Sequence, residues 1–252
     1  MDPSAAPVLE VFASYQGEGL FVGQPQTFLR LSGCPLRCRY CDTPHSRPIP
    51  EREANDDWLT PFGAMLRVAE VELNVDRPIA VTGGEPLIWP GFLLGLRKVA
   101  GDRALHLETA GHDLAALEAV GAAFDHISLD LKLPGDLARP ARSSFPSSAL
   151  PESASDWDAL RVRQLDILTA RGASACLKLV VTPGTDPADF EPLLADVARL
   201  APELPLFVAP ASPREGSDLG DLASLDGVVA AALEAGLEPR VLSQLHRALG
   251  VR

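Results

Sequence analysis

Short β-branched or aliphatic runs alternate with amphipathic stretches along most of the chain, a pattern that predicts repeated strand-then-helix units. Strands are expected at Thr27 to Leu31, Ile79 to Thr82, Ala104 to Glu108, His126 to Leu131, Ala175 to Val181 and Leu206 to Ala209. Thr60 before Pro61 and Asp186 before Pro187 each set a capping side chain ahead of a proline at the first helical position. Helices therefore open there and run to about Leu73 and Leu200. Further helices are expected at Phe92 to Ala100, Asp156 to Ala170, Leu222 to Ala235 and Leu242 to Leu249. Such units imply a parallel sheet with right-handed crossovers, either doubly wound or closed into a full or partial barrel. About six units is fewer than the eight of a complete (β/α) barrel. Pro134 to Ser155, rich in Pro and Ser, reads as an irregular surface loop inside a single domain, because the units resume after it.

Composition narrows the class without changing that picture. The 252 residues, 46% apolar and 22% charged, suit one globular α/β domain. The formal net charge of −12 would repel a phosphate backbone, so nucleic acid is not the expected partner. No apolar run approaches the roughly 20 residues of a membrane span, and Met1 to Pro7 lacks the layout of a secretory signal. The expectation is a soluble cytoplasmic protein with no membrane partner. The four cysteines are not spaced as a disulfide framework: Cys34, Cys38 and Cys41 lie within eight residues and Cys176 is alone far downstream.

The spacing C-x3-C-x2-C in Gly33 to Thr43 gathers three thiolates just after a strand. Iron–sulfur clusters usually take four protein thiolates, so three would leave one iron open to a small molecule. An open iron is what chelation of S-adenosylmethionine through its amino and carboxylate groups needs. A closed zinc site is the competing reading, because His45 follows Cys41 by four and would complete a Cys3His set in an interaction protein. Cys176, at a strand start, reads as a small buried apolar residue.

Other signals sit at strand ends, where parallel α/β folds build their sites. Thr82-Gly83-Gly84-Glu85-Pro86 leads a strand into two glycines and a carboxylate, a candidate subsite for the methionine ammonium. Glu108-Thr109 and Ser128 to Lys132 put polar groups at two further ends. Lys178 within an apolar strand points either into a polar barrel interior or to an exposed edge. Near the start, Gln16-Gly17-Glu18-Gly19 precedes a strand carrying Arg30; acceptors such as Gln16 and Glu18 suit the edges of a planar heterocycle, and Arg30 suits a carboxylate.

Together Gln16 to Gly19, Gly23, Phe28, Arg30, Gly33-Cys34, Cys38, Cys41-Asp42-Thr43 and Thr82 to Pro86 resemble the 7-carboxy-7-deazaguanine synthase family of radical S-adenosylmethionine enzymes. The likeness continues through Glu108-Thr109, Lys132, Lys178, Pro210 and Gln244-Leu245-His246, nearly the whole chain. The resemblance implies a partial (β/α) barrel of about six parallel strands and a homodimer. It implies ring contraction of 6-carboxy-5,6,7,8-tetrahydropterin to 7-carboxy-7-deazaguanine with loss of ammonia, a step toward queuosine. On it, Cys34, Cys38 and Cys41 hold a 4Fe-4S cluster, and Gly83, Gly84, Glu85, Glu108, Ser128 and Lys132 bind S-adenosylmethionine. Gln16, Glu18, Gly19, Arg30 and Thr82 bind the pterin, and Thr43 binds Mg²⁺ together with the substrate carboxylate.

Two departures stand out: Ala110 replaces the Asn that members often carry, and the loop at about 134–155 is long. Four arginines, Arg30, Arg37, Arg39 and Arg47, against the single acid Asp42 suggest a positive face for an acidic, flavodoxin-like electron donor. A glycyl-radical enzyme activase is the nearest alternative, but such enzymes usually carry Asp-Gly-Pro-Gly where this chain has Gln16 to Gly19.

Overall fold

The computed structural model describes residues 4–51, 58–72, 76–137, 151, 153–212 and 222–251. Strands β1 (Ala6–Tyr15) and β2 (Pro25–Leu31) form an antiparallel hairpin, and β3 (Trp58–Leu59) pairs antiparallel with β1 at the sheet edge. From β2 onward the strands run parallel: β4 (Ile79–Gly83), β5 (Leu105–Thr109), β6 (His126–Asp130), β7 (Ser174–Val181), β8 (Leu206–Pro210) and β9 (Pro239–Val241). The sheet order β3-β1-β2-β4-β5-β6-β7-β8-β9 does not close on itself. This is the expected partial barrel, with seven parallel strands rather than about six because the three-residue β9 adds to the end.

Helices α1 (Pro61–Glu72), α2 (Pro90–Ala100), α3 (Leu114–Gly121), α4 (Ala154–Ala170), α5 (Glu191–Leu200) and α6 (Leu222–Glu234) connect the strands, and α7 (Leu245–Leu249) ends the described chain. Their starts follow local chemistry. Thr60 Oγ1 accepts from Gly63 N ahead of α1, and Asp113 accepts from Ala116 N ahead of α3. Ser153 and Asp156 form a reciprocal capping box, so α4 begins at Ala154. At Asp186-Pro187 the first turn, Pro187–Phe190, is a 3-10 helix, and the α-helix proper begins at Glu191. Of the predicted loop, Pro134–Asp136 is a 3-10 turn and residues 154–155 belong to α4. Residues 138–150 and 152 lie outside the described ones. No described helix is long and apolar enough to cross a membrane.

Strand alternation divides the sheet into two unlike faces. Leu29, Val81, Leu107, Ile127, Leu177 and Val208 point outward and are fully buried beneath the helices. At about 25 cal/mol per Å² of apolar surface removed from water, this layer is the main source of stability. The inner face is polar. Arg30, Thr82, Glu108, Ser128 and Cys176 belong to one inward layer of register, with Asp130 and Lys178 paired one layer above. Lys178 therefore points into the barrel, not to an edge.

The lower end of this interior is plugged. Phe21, from the 3-10 turn Gly19–Phe21, stacks on His106 at 4.4 Å and meets His126 edge-on at 4.7 Å. Burial holds both imidazoles below their ordinary pKa, His126 at about 4, so both are neutral at pH 7 and stack without a charge penalty. The loop bearing Gln16 and Glu18 thus stands on a fixed floor.

Candidate active site

The cysteine loop rises from the end of β2. Gly33 adopts φ +99°, where an L side chain is strained, and the chain then turns back on itself. Gly33 N donates to Ser46 O at 2.8 Å, and Cys34 N donates to Arg47 O at 3.1 Å. Arg37 Nη1 donates to the carbonyls of Cys34 and Leu36 at 2.7 and 2.9 Å, and Arg47 Nη2 to that of Cys38 at 2.9 Å. The segment after β6 braces the loop from the other side: Arg39 N donates to Asp136 O, and Cys38 bridges Leu137.

All three cysteines face one cleft of about 230 Å³. Burial, reinforced by the charge of Glu85, pushes the Cys34 thiol up to about 12, and burial raises Cys38 as well. Such thiols stay protonated on their own, and a metal centre would supply the charge that ionises them. The donor set therefore fits a metal centre with several ligand atoms. His45 is exposed and outside the cleft lining, so it does not close a Cys3His site with them. Among the described residues no three His, Cys, Asp or Glu side chains converge on a single-ion position.

The two glycines at the end of β4 are required by packing against this loop. A Cβ on Gly83, at φ +138°, would overlap the backbone of Leu31, and one on Gly84 would lie 2.9 Å from Cys34 Cβ. With glycines there, Gly84 N reaches Leu31 O at 3.0 Å and Glu85 N reaches Gly33 O at 2.8 Å. Both glycines line the cleft as bare backbone. Glu85 also borders it, yet is only 1% exposed. Its carboxylate accepts from Leu87 N at 3.0 Å, Thr109 Oγ1 at 2.5 Å and Ala110 N at 2.8 Å. Glu85 thereby joins the β4 turn to the end of β5. Ala110 is further held through its carbonyl by Gln164 Nε2 of α4 at 2.9 Å.

Glu108 and Thr82 meet deeper in the cleft, where Thr82 Oγ1 donates to Glu108 Oε2 at 3.0 Å. Gln16 Nε2 donates to the other Glu108 oxygen at 2.8 Å and to Gln26 Oε1 at 3.2 Å, while Gln16 Oε1 accepts from Glu18 N. Gln16 is buried, and its amide is engaged on every side. Glu18 is pinned from two directions, by Lys178 Nζ at 2.9 Å and by Gln244 Nε2 at 2.6 Å. The same Gln244 amide donates to Asp42 Oδ2 at 2.7 Å. Thr43 borders the cleft beside Asp42, and its carbonyl is taken by Ser46. Arg30 reaches the cleft with Nε on Glu10 at 2.6 Å and its guanidinium over the Phe12 ring.

Lys132 and Lys178 flank Asp130 at 3.3 and 3.2 Å. Burial alone would raise the Asp130 carboxyl; the two ammonium groups outweigh it and hold the pKa below the ordinary carboxylate value. Burial would likewise depress both lysines, and the facing carboxylates overcome it, so both stay charged. Lys132 also lies over the Tyr40 ring, 5.1 Å from its centre.

Most of the residues singled out from sequence therefore share one cleft. Ser128 does not. Its hydroxyl is held between His126 and Cys176 at 3.2 and 3.3 Å, and Gly19 packs over it, apart from the cleft that Arg30, Thr82 and Glu108 of the same layer border. Gly19, at φ +63°, packs where a Cβ would touch Cys176 Sγ at 3.3 Å. Tyr40, Asp130 and Gln244 border the cleft without a sequence-derived site role, and Arg47, read from sequence only as part of a positive face, borders it too. Only the aromatic between Cys38 and Cys41 and the Asp130-x-Lys132 alternation at a strand end hinted at any of them.

An open parallel half-barrel with a three-cysteine loop after its first parallel strand defines a class, the radical S-adenosylmethionine enzymes, and residues 29–197 match the model of the Radical SAM superfamily. Such proteins work with a 4Fe-4S cluster and S-adenosylmethionine. The 7-carboxy-7-deazaguanine synthase of Methanothermobacter thermautotrophicus is 35% identical over 98% of each chain. That of Methanopyrus kandleri is 34% identical over 95% of this chain and 92% of its own. Crystalline QueE from Escherichia coli superposes with a TM-score of 0.58 over 94% of this chain and 93% of its own, at 19% identity. The chain belongs to the 7-carboxy-7-deazaguanine synthase family.

Proposed function

We propose that this chain converts 6-carboxy-5,6,7,8-tetrahydropterin to 7-carboxy-7-deazaguanine with release of ammonia, supplying 7-deazapurine and queuosine synthesis. The observation that carries the reading is one cleft in which the cysteine loop, the bare Gly83-Gly84 turn and the Glu18–Lys178–Asp130 array stand together. Cys34, Cys38 and Cys41 would hold the cluster. Bound there, it would supply the electron for reductive cleavage of S-adenosylmethionine, and with it radical chemistry at the substrate.

The chain's own groups position and shield. The glycine turn offers backbone to the methionine end of S-adenosylmethionine, with Lys132 and Glu108 nearby; Glu85 acts by holding that turn against β5. Glu18, aimed by Lys178 and Gln244, accepts from the donor edge of the pterin. Gln16 and Thr82 act through Glu108, whose carboxylate they fix, and Gly19 sets the loop on its floor. Arg30 faces the substrate carboxylate. Thr43 would contribute a hydroxyl to a hard, partly hydrated Mg²⁺ shared with that carboxylate. Ser128 supports Gly19 from below and is not a contact in this reading.

The same proposal takes the protein as a homodimer reduced by an acidic flavodoxin-like donor. Arg39 is exposed at the cluster rim, and the side chains of Arg30, Arg37 and Arg47 bond within the protein. The test is anaerobic incubation of reconstituted protein with S-adenosylmethionine, reduced flavodoxin and the carboxytetrahydropterin, with and without Mg²⁺, followed by mass analysis. Formation of the deazapurine acid, faster with Mg²⁺, is expected. S-adenosylmethionine cleavage with no deazapurine under either condition would overturn the substrate assignment and leave the class intact.

A further inference from the structure

Two arginines tie the cysteine loop, but they differ in what else they face. Arg37 reaches only the carbonyls of Cys34 and Leu36 and does not border the cleft. Arg47 borders the cleft, half-buried, and joins the loop at two points: its carbonyl accepts from Cys34 N and its guanidinium donates to Cys38 O. One residue thus connects the first and second cysteines across thirteen positions of chain. Its charge is also unlike its neighbours'. Lys132 is answered by Asp130 at 3.3 Å and Arg30 by Glu10 at 2.6 Å. Among the described residues no carboxylate lies within ion-pair distance of Arg47.

An unanswered positive charge beside an iron–sulfur cluster stabilises the reduced form, which carries one more negative charge, and so raises the reduction potential. We propose that Arg47 is a positioning residue with a second role: it closes the cysteine loop and, as a fixed cation, holds up the potential at which the cluster accepts its electron. This rests on the cluster assignment above. It concerns electron entry, a step that precedes and is separable from pterin chemistry.

Arg47→Lys and Arg47→Gln separate the two roles. Lysine keeps the charge and a donor about one bond shorter than the guanidinium; glutamine loses the charge, and its amide, two bonds shorter, is a weaker brace for Cys38 O. Each variant is reconstituted anaerobically, its iron and sulfide are counted, and the cluster is titrated with reductant while its paramagnetic signal is followed. Expected are a full cluster and a near-native midpoint potential in Arg47→Lys, and a more negative midpoint in Arg47→Gln. A fully loaded Arg47→Gln with unchanged midpoint would overturn it, as would an Arg47→Lys that loses the cluster or shifts as far as the glutamine variant. Absence of a cluster in the unaltered protein would instead defeat the cluster assignment itself.

Discussion

Alanine at Cys34, Cys38 or Cys41 is expected to bring S-adenosylmethionine cleavage below detection while leaving the fold in place. The loop that carries the thiols is held by bonds that do not involve sulfur. Gly33 N reaches Ser46 O, Cys34 N reaches Arg47 O, and Arg37 and Arg47 clasp the carbonyls of Cys34, Leu36 and Cys38. Removing a thiol therefore takes away a ligand and little of the scaffold. Burying the small alanine side chain in place of Cys34 or Cys38 removes a polarisable atom but no hydrogen-bonding network, so metal-free variants should unfold within a few degrees of the metal-free native protein. Because the three thiols face one cleft and none duplicates another, no second sulfur can substitute: Cys176 is on the inner face below, held against Ser128. Quantifying 5′-deoxyadenosine after anaerobic reconstitution checks the prediction. Native-level cleavage in any of the three variants would remove that cysteine from the ligand set.

Lys178→Met carries the second large effect, and on a different axis. Among the described residues Lys178 is the one cation that touches both Glu18 and Asp130, at 2.9 and 3.2 Å, with its own side chain 8% exposed. Removing one member of a buried ion pair leaves the partner charges uncompensated and costs about 3–5 kcal/mol. The loss here should be near 3 kcal/mol, because the Glu18 and Asp130 side chains keep 29% and 28% of their exposure. Without the ammonium, the Asp130 carboxyl loses one of the two charges that hold its pKa down, and Glu18 loses one of the two groups that aim it. We expect weaker pterin binding, a raised KM for the pterin, and normal cluster content. Denaturant unfolding reads the first quantity and steady-state kinetics the second. Unchanged stability together with unchanged KM would mean that the array has no such role.

The parts of this account that were legible in the sequence are those set by near neighbours. The outward apolar positions of β2 and β4 to β8 recur every second residue, and their helices carry caps and prolines at fixed offsets, so both elements and class could be read directly. β1 was not read as a strand, although it is ten residues long; its register shifts between Val8 and Glu10, which breaks the alternation. β9 has three residues and α3 eight, too few for periodicity to declare itself. The cysteine spacing and the glycine pair are local and were visible. What the paired glycines are for was only half visible, since the backbone of Leu31 and Gly33 that demands them lies fifty residues upstream.

Glu85 shows the same limit. Sequence offered an acceptor for an ammonium, but three of its partners are Leu87 N, Thr109 Oγ1 and Ala110 N, two of them supplied by the end of β5. Gln16 is similar: a polar residue in a glycine turn reads as a ligand contact, whereas its amide is taken up by Gln26, Glu108 and Glu18. Gln244 joins Glu18 and Asp42 across more than 200 positions, a relation that no periodicity or motif encodes. Arg47 was counted as surface charge, and only the fold turns it back onto Cys38.

The central claim is that the three cysteines present a cluster with one iron left for S-adenosylmethionine. The most direct measurement is the low-temperature paramagnetic resonance of the anaerobically reduced protein, recorded before and after S-adenosylmethionine is added. The account predicts a reduced 4Fe-4S signal whose shape changes on addition, because the amino and carboxylate groups bind the open iron. A colourless zinc protein, or a cluster signal that S-adenosylmethionine leaves unaltered, would contradict it.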